Sequence, residues 1–218
     1  MSDNNKKFMD NKTIDTVTTA DLIVEMLNNT GELKGIDDVS ATQDAIDRVM
    51  ILNDIDEVTA EAVSHLIRFW NKADKDVDPK DRKPITLLID SPGGWLEGGL
   101  MIADSIRLSK TPVHTVNMGI AYSAGLLVFI TGHRRYCYPS ASFLFHEGST
   151  VTGMMDAGKF RNYAEFYEQA ILRMKKYFLE YTDMTEELYQ EKKKDDWWFF
   201  AEEAIDLGFC DEVLEEFI

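Results

Sequence analysis

ITLLIDSPGG, residues 85–94, runs a β-rich, buried-looking segment into two glycines, and the residues after it, from about 97 to 107, carry a helical pattern. Paired glycines let the backbone take positive φ, which reads either as a simple strand-to-helix turn or as a site whose amides come close to an oxyanion or a peptide backbone. Similar units lie on either side. RVMILND (48–54) precedes a helical pattern over 59–70, and VHTVNMG (113–119) precedes a short helix starting at Ser123. RRYCYP (134–139) and ASFLFHE (141–147) follow as two further β-rich runs. Strands alternating with helices predict an α/β fold with crossover connections. The charged stretch NKADKDVDPKDRK (71–83) reads as the surface loop ahead of ITLLID.

Farther along, Tyr163, Phe166, Tyr167, Ala170, Ile171, Met174, Tyr177, Phe178 and Tyr181 recur at three- and four-residue spacings, which predicts a long amphipathic helix over 160–181. Such a stripe packs on the core of its own domain or meets another subunit. At the other end, residues 1–12 are polar and read as an arm. The run TADLIVEML (19–27) places Leu22, Ile23, Met26 and Leu27 on one helical face, and loop-like sequence extends to about 46. The expected division is therefore an N-terminal arm with a short helix over 1–47 and one domain over 48–218.

Composition narrows the function classes. With 44% hydrophobic and 28% charged residues among 218, the chain can bury a sizeable core, so disorder throughout is excluded. A net charge of −16 repels phosphate backbones and anionic lipids, so neither nucleic acid nor a membrane is an expected partner. Two cysteines, Cys137 and Cys210, form no CxxC or Cys/His cluster, so no metal is expected and a reduced compartment fits. There is no apolar stretch of about 20 residues and no secretory h-region in MSDNNKKFMDNK, which makes the cytoplasm the expected location. Gly93-Gly94 lacks the lysine of a phosphate loop, so neither ATP nor another cofactor is expected on this chain.

GIAYSAG (119–125) puts Ser123 between a strand and an apolar helical run, flanked by small residues that let a carbonyl approach. Ser123 reads either as a nucleophile or as a helix N-cap whose hydroxyl satisfies orphan amides. It is not the G-x-S-x-G elbow, because Ala121 replaces the first glycine. A serine nucleophile needs a base, and of His65, His114, His133 and His146 only His146 ends an apolar strand, where side chains project into clefts. Asp196, at the boundary between EKKKDD and the apolar WWFFA where a carboxylate can be partly buried, reads either as the third member or as a solvated acid. Trp197 and Trp198 read as core or subunit contacts.

The order and spacing of RVMILND, LLIDSPGG, G-x-A-x-Ser123-x-Gly125, SFLFHE and the tail EEAIDLGFCDEVL resemble the ClpP family, the proteolytic subunits of the Clp protease, within the wider ClpP/crotonase fold. The resemblance implies a repeated β-β-α spiral with residues 160–181 as its handle helix, and a serine endopeptidase. It implies a triad of Ser123, His146 and Asp196, with the backbone N–H groups of Gly94 and Ala124 as oxyanion donors. It further implies a homo-oligomeric ring or double ring with its sites facing a chamber, peptide or protein substrates, and a separate AAA+ unfoldase as partner.

Departures from the family pattern are Tyr122 where a small residue is usual, Ala124 where Met is frequent, Glu147-Gly148 in place of Gln-Pro, and Lys194-Asp195 in place of an acid followed by arginine. The alternatives are a catalytically inactive ClpP-like structural subunit and a crotonase-type acyl-CoA enzyme, which also holds an oxyanion on paired amides.

Overall fold

Three of the β-rich runs form strands that pair in parallel in chain order: β1 (Val49–Ile55), β2 (Ile85–Gly94) and β3 (Val113–Tyr122). They belong to a computed structural model that describes residues 44, 47–148, 153–154 and 156–217. The N-terminal arm and the helix expected over 19–27 lie outside the described residues. Parallel neighbours require crossovers, and these are α1 (Glu57–Ala73) and α2 (Leu96–Leu108). α1 starts two residues before the expected position because the Asp56 side chain accepts the Thr59 amide at 2.7 Å and caps it.

β3 is long enough to serve two further partners in succession. β4 (Arg134–Cys137) pairs in parallel with His114 to Asn117, and β5 (Ser142–Phe145) with Ile120 to Tyr122. Between β3 and β4 runs α3 (Ala124–Ile130), every residue of which is buried. That explains its uniformly apolar sequence, since a helix enclosed on all sides has no polar face.

After β5 come α4 (Ala157–Tyr181), α5 (Glu186–Lys192), β6 (Trp197–Phe200), α6 (Ala201–Asp206) and β7 (Glu212–Val213). β7 pairs with β4, and β6 runs antiparallel to β5. The strand nature of WWFF was hidden, because four consecutive aromatics mask the alternation. In the fold the alternation is present: Phe199 is buried while Trp198 and Phe200 face outward.

The long helix divides along its length. In its C-terminal half Ala170, Met174, Tyr177 and Phe178 are buried, with Phe178 edge-on to Phe145. Its N-terminal half leaves Phe160 and Phe166 more than half exposed. No helix among the described residues is long and apolar enough to cross a membrane.

Candidate active site

Strand register brings the candidate residues together. β3 and β5 run parallel with Tyr122 opposite Leu144, so Ser123 and His146 emerge side by side just past the two strand ends. β5 and β6 run antiparallel with Phe145 opposite Trp197, so the next pair outward is His146 and Asp196. Gly94 ends β2 at the same carboxyl edge, the edge at which open α/β sheets hold ligands.

Ser123 turns the chain from β3 into α3 with φ 54° and ψ −121°. A non-glycine residue there stores roughly 1–3 kcal/mol of strain, tolerated only where the surroundings enforce it. They do so: the Ser123 amide donates to the Leu144 carbonyl at 2.9 Å and its own carbonyl accepts from the Leu127 amide at 3.2 Å. The N-cap expectation fails for the side chain, which caps no helix amide. The strained φ aims the hydroxyl away from the helix and onto His146, whose Nε2 stands 2.6 Å from Ser123 Oγ. That length is a close hydrogen bond between the two side chains.

Asp196 Oδ1 lies 3.6 Å from His146 Nδ1, an ion-pair distance beyond hydrogen-bond range. Its side chain is 58% exposed against 25% for His146, so the expected partial burial of this carboxylate is small. Pairing with β5 holds only β6 itself, and Asp196 stands one residue before that strand.

The two glycines have a steric cause. Gly93 (φ 102°) passes so close to the Ser123 turn that a Cβ there would stand 2.7 Å from the Tyr122 carbonyl oxygen and 2.8 Å from Ser123 Cβ. At Gly94 (φ 141°) a Cβ would stand 2.2 Å from the Ile55 oxygen. Ser91, which the sequence reading passed over, sets this turn: its buried hydroxyl accepts the Gly93 amide at 3.1 Å. A Ser-Pro-Gly run is the signal that could have found it.

Gly94, Ser123, Ala124 and His146 line one cavity of about 200 Å³, walled by Trp95 just ahead of α2, by Leu96 and Glu97 from α2 and by Tyr163, Tyr167 and Met174 from α4. Glu147 and Gly148 close it beside His146. Glu147 is also 3.3 Å from Lys193 Nζ. Tyr122 is absent from these walls: its hydroxyl is 2.8 Å from Ser142 Oγ and its ring packs edge-on against Trp198.

The remaining histidines have other surroundings. His65 is exposed on α1, His114 packs edge-on to Tyr136, and His133 Nδ1 accepts the Val113 amide at 3.0 Å. Burial lowers the pKa of both His114 and His133 below the ordinary imidazole value. Among the described residues no group of three or more His, Cys, Asp or Glu is placed to hold a metal ion. Cys137 and Cys210 are buried and free.

The Clp protease family model matches residues 34–217. The chain is similar to the ATP-dependent Clp protease proteolytic subunit of Paracoccus denitrificans, 31% identical over 166 residues that span 73% of this chain and 76% of that protein. It is similar also to ATP-dependent Clp protease proteolytic subunit 1 of Streptomyces avermitilis, 33% identical over 82% of this chain and 81% of that one. With subunit 2 of Pseudomonas aeruginosa it shares 30% over 77% and 80% respectively. A match over most of the chain, carrying the elements that build the cavity, places this protein in the Clp protease family.

Proposed function

We propose that this subunit is a serine endopeptidase in which Ser123 is the nucleophile, His146 the general base and Asp196 the group that orients and charge-balances His146. The observation that carries the reading is the 2.6 Å approach of Ser123 Oγ to His146 Nε2 at a strained strand-to-helix turn. Ser123 Oγ attacks the peptide carbonyl carbon as its proton passes to Nε2, and the carbonyl oxygen takes the electron pair as an oxyanion. The Gly94 and Ala124 amides, both on the cavity wall, are the donors for that oxyanion. In serine peptidases one such donor is worth about 2.7–4 kcal/mol of barrier. The imidazolium then returns its proton to the leaving amine, the C–N bond breaks, and water repeats the sequence on the acyl-enzyme. Asp196, near but solvated, stabilises the imidazolium through space.

The same reading carries assembly into a ring-shaped homo-oligomer that takes peptides or threaded chains, with ATP-driven unfolding supplied by a separate AAA+ partner. Its supports are the words "ATP-dependent" and "subunit" in the names of the relatives, the absence of a phosphate loop from this sequence, and the uncovered aromatics Phe160 and Phe166 on α4.

Fluorophosphonate labelling tests the chemistry, because Ser123 Oγ displaces fluoride only when activated. The expected result is one adduct at Ser123 by intact mass and peptide mapping, lost in His146→Ala. A folded, assembled protein that takes no label would overturn the proposal and leave a structural subunit.

A further inference from the structure

The cavity beside Ser123 carries a charge that peptide hydrolysis does not require. Its walls include two carboxylates, Glu97 and Glu147, and no lysine or arginine. Glu147 is answered by Lys193 at 3.3 Å. Glu97, half-buried in the first turn of α2, has no ion-pair partner among the described residues. Tyr163 and Tyr167 face each other nearly parallel at 6.2 Å, and Met174 follows on the same helix. Glu97 and Tyr167 line the same cavity, and burial, then the charges of Tyr163 and Glu97, push the Tyr167 hydroxyl above its ordinary pKa.

A cavity of about 200 Å³ admits one long side chain and no more. Aromatic and thioether walls suit an alkyl stem, and ring faces attract a cation at its end. A half-buried carboxylate without a partner gains from an arriving ammonium or guanidinium, loses hydration to an arriving leucine, and repels an arriving acid. Resting on the reading of Ser123 as nucleophile, we infer that this cavity receives a lysine or arginine side chain of the substrate, with Glu97 as its counter-charge, so that cleavage is favoured beside a cationic residue.

Peptidyl diphenyl phosphonates that differ only in the side chain next to phosphorus, lysine, leucine or glutamate, test it on the purified full-length protein. The second-order rate of Ser123 modification is read by intact mass, with a fluorophosphonate that has no side chain as the reference. The lysine probe is expected to react about tenfold faster than the leucine probe, with the glutamate probe slowest. Glu97→Gln should cut the lysine-to-leucine ratio by about the same factor.

Should Glu97→Gln fail to fold, the wild-type ratio is measured against salt. It should fall as KCl rises from 0.05 to 0.5 M, because the Debye length shrinks from roughly 14 to 4 Å. A leucine probe as fast as the lysine probe, or a ratio indifferent to both Glu97→Gln and salt, overturns the inference while leaving the nucleophile standing. Absence of labelling by the reference fluorophosphonate overturns the nucleophile and this inference with it.

Discussion

Lys193 Nζ stands 3.3 Å from the Glu147 carboxylate, which ties the residue after His146 to a point three residues before Asp196. Side chains 32% and 26% exposed make this a partly solvated pair, worth under about 1 kcal/mol of stability. Its consequence is positional, because the Asp196 carboxylate has only a 3.6 Å approach to hold it. Lys193→Ala should slow fluorophosphonate labelling of Ser123 by roughly three- to tenfold, about 1 kcal/mol on the barrier. Its thermal midpoint should stay within about 4 °C of wild type. The charge-swapped pair Glu147→Lys/Lys193→Glu should recover part of the rate. An unchanged rate in Lys193→Ala would remove the pair from the machinery.

The loose Asp196 contact sets an order of severity. His146→Ala removes the proposed base and should cost roughly 10²–10⁴-fold in labelling rate. Asp196→Asn should cost far less, roughly ten- to a hundredfold, against the ~10⁴ lost when the buried carboxylate of a protease triad is neutralised. Water already screens a side chain that is 58% exposed. Equal losses in the two variants would mean that Asp196 is held as a buried triad member in the working enzyme.

Gly93→Ala places a methyl group 2.7 Å from the Tyr122 oxygen and 2.8 Å from Ser123 Cβ at φ 102°. Backbone strain alone costs about 1–3 kcal/mol. The urea midpoint should drop, and Ser123 labelling should fall at least tenfold, about 1.4 kcal/mol on the barrier, because the obstructing atoms belong to the Ser123 turn itself. Gly94→Ala, which meets the Ile55 oxygen at 2.2 Å, should be the more damaging to folding. Wild-type midpoint and labelling in Gly93→Ala would show that the turn relaxes.

Arg135 joins β4 to the end of α4 and to the approach to β7. It donates to the Tyr181 carbonyl at 2.6 Å, the Gly208 carbonyl at 2.7 Å and the Asp211 carboxylate at 3.1 Å. Burial would raise the Asp211 carboxyl, yet the hydrogen bonds and charge of Arg135 outweigh it and hold the carboxyl below its usual range. A folded-state pKa below the unfolded one, about 3.9, means stabilisation present above about pH 4 and lost as pH falls through the folded value. Arg135→Ala should cost about 3 kcal/mol at pH 7 and lose that part of the acid slope. Urea midpoints from pH 7 to pH 3 check both; a variant with the wild-type acid slope would assign the slope to other groups.

The strand-helix alternation was legible from β1 through β5, because the strands there are short β-rich runs and the helical patterns between β1, β2 and β3 have a 3.6-residue face. β6 was not legible, since Trp197, Trp198, Phe199 and Phe200 present the same apolar character on both faces of the strand. The long helix was legible in extent, but which half would be covered was not. The tertiary packing that buries Ala170, Met174, Tyr177 and Phe178, the last against Phe145 and Phe209, distinguishes the two ends.

At the cavity, sequence alone determined which chemistries were available: a serine after a strand, a histidine at another strand's end, glycines where backbones must pass closely, and no phosphate loop. Tertiary structure decided whether they meet. Ser123 and His146 are 23 residues apart in the chain, yet the register of β3 on β5 puts them in hydrogen-bond contact. It also decided that Ser123 is strained rather than capping, that Asp196 stands in solvent, and that Glu97 looks into the same cavity. Register, φ and exposure are properties of strands already paired. No single segment carries them, so they exist only once the sheet has formed.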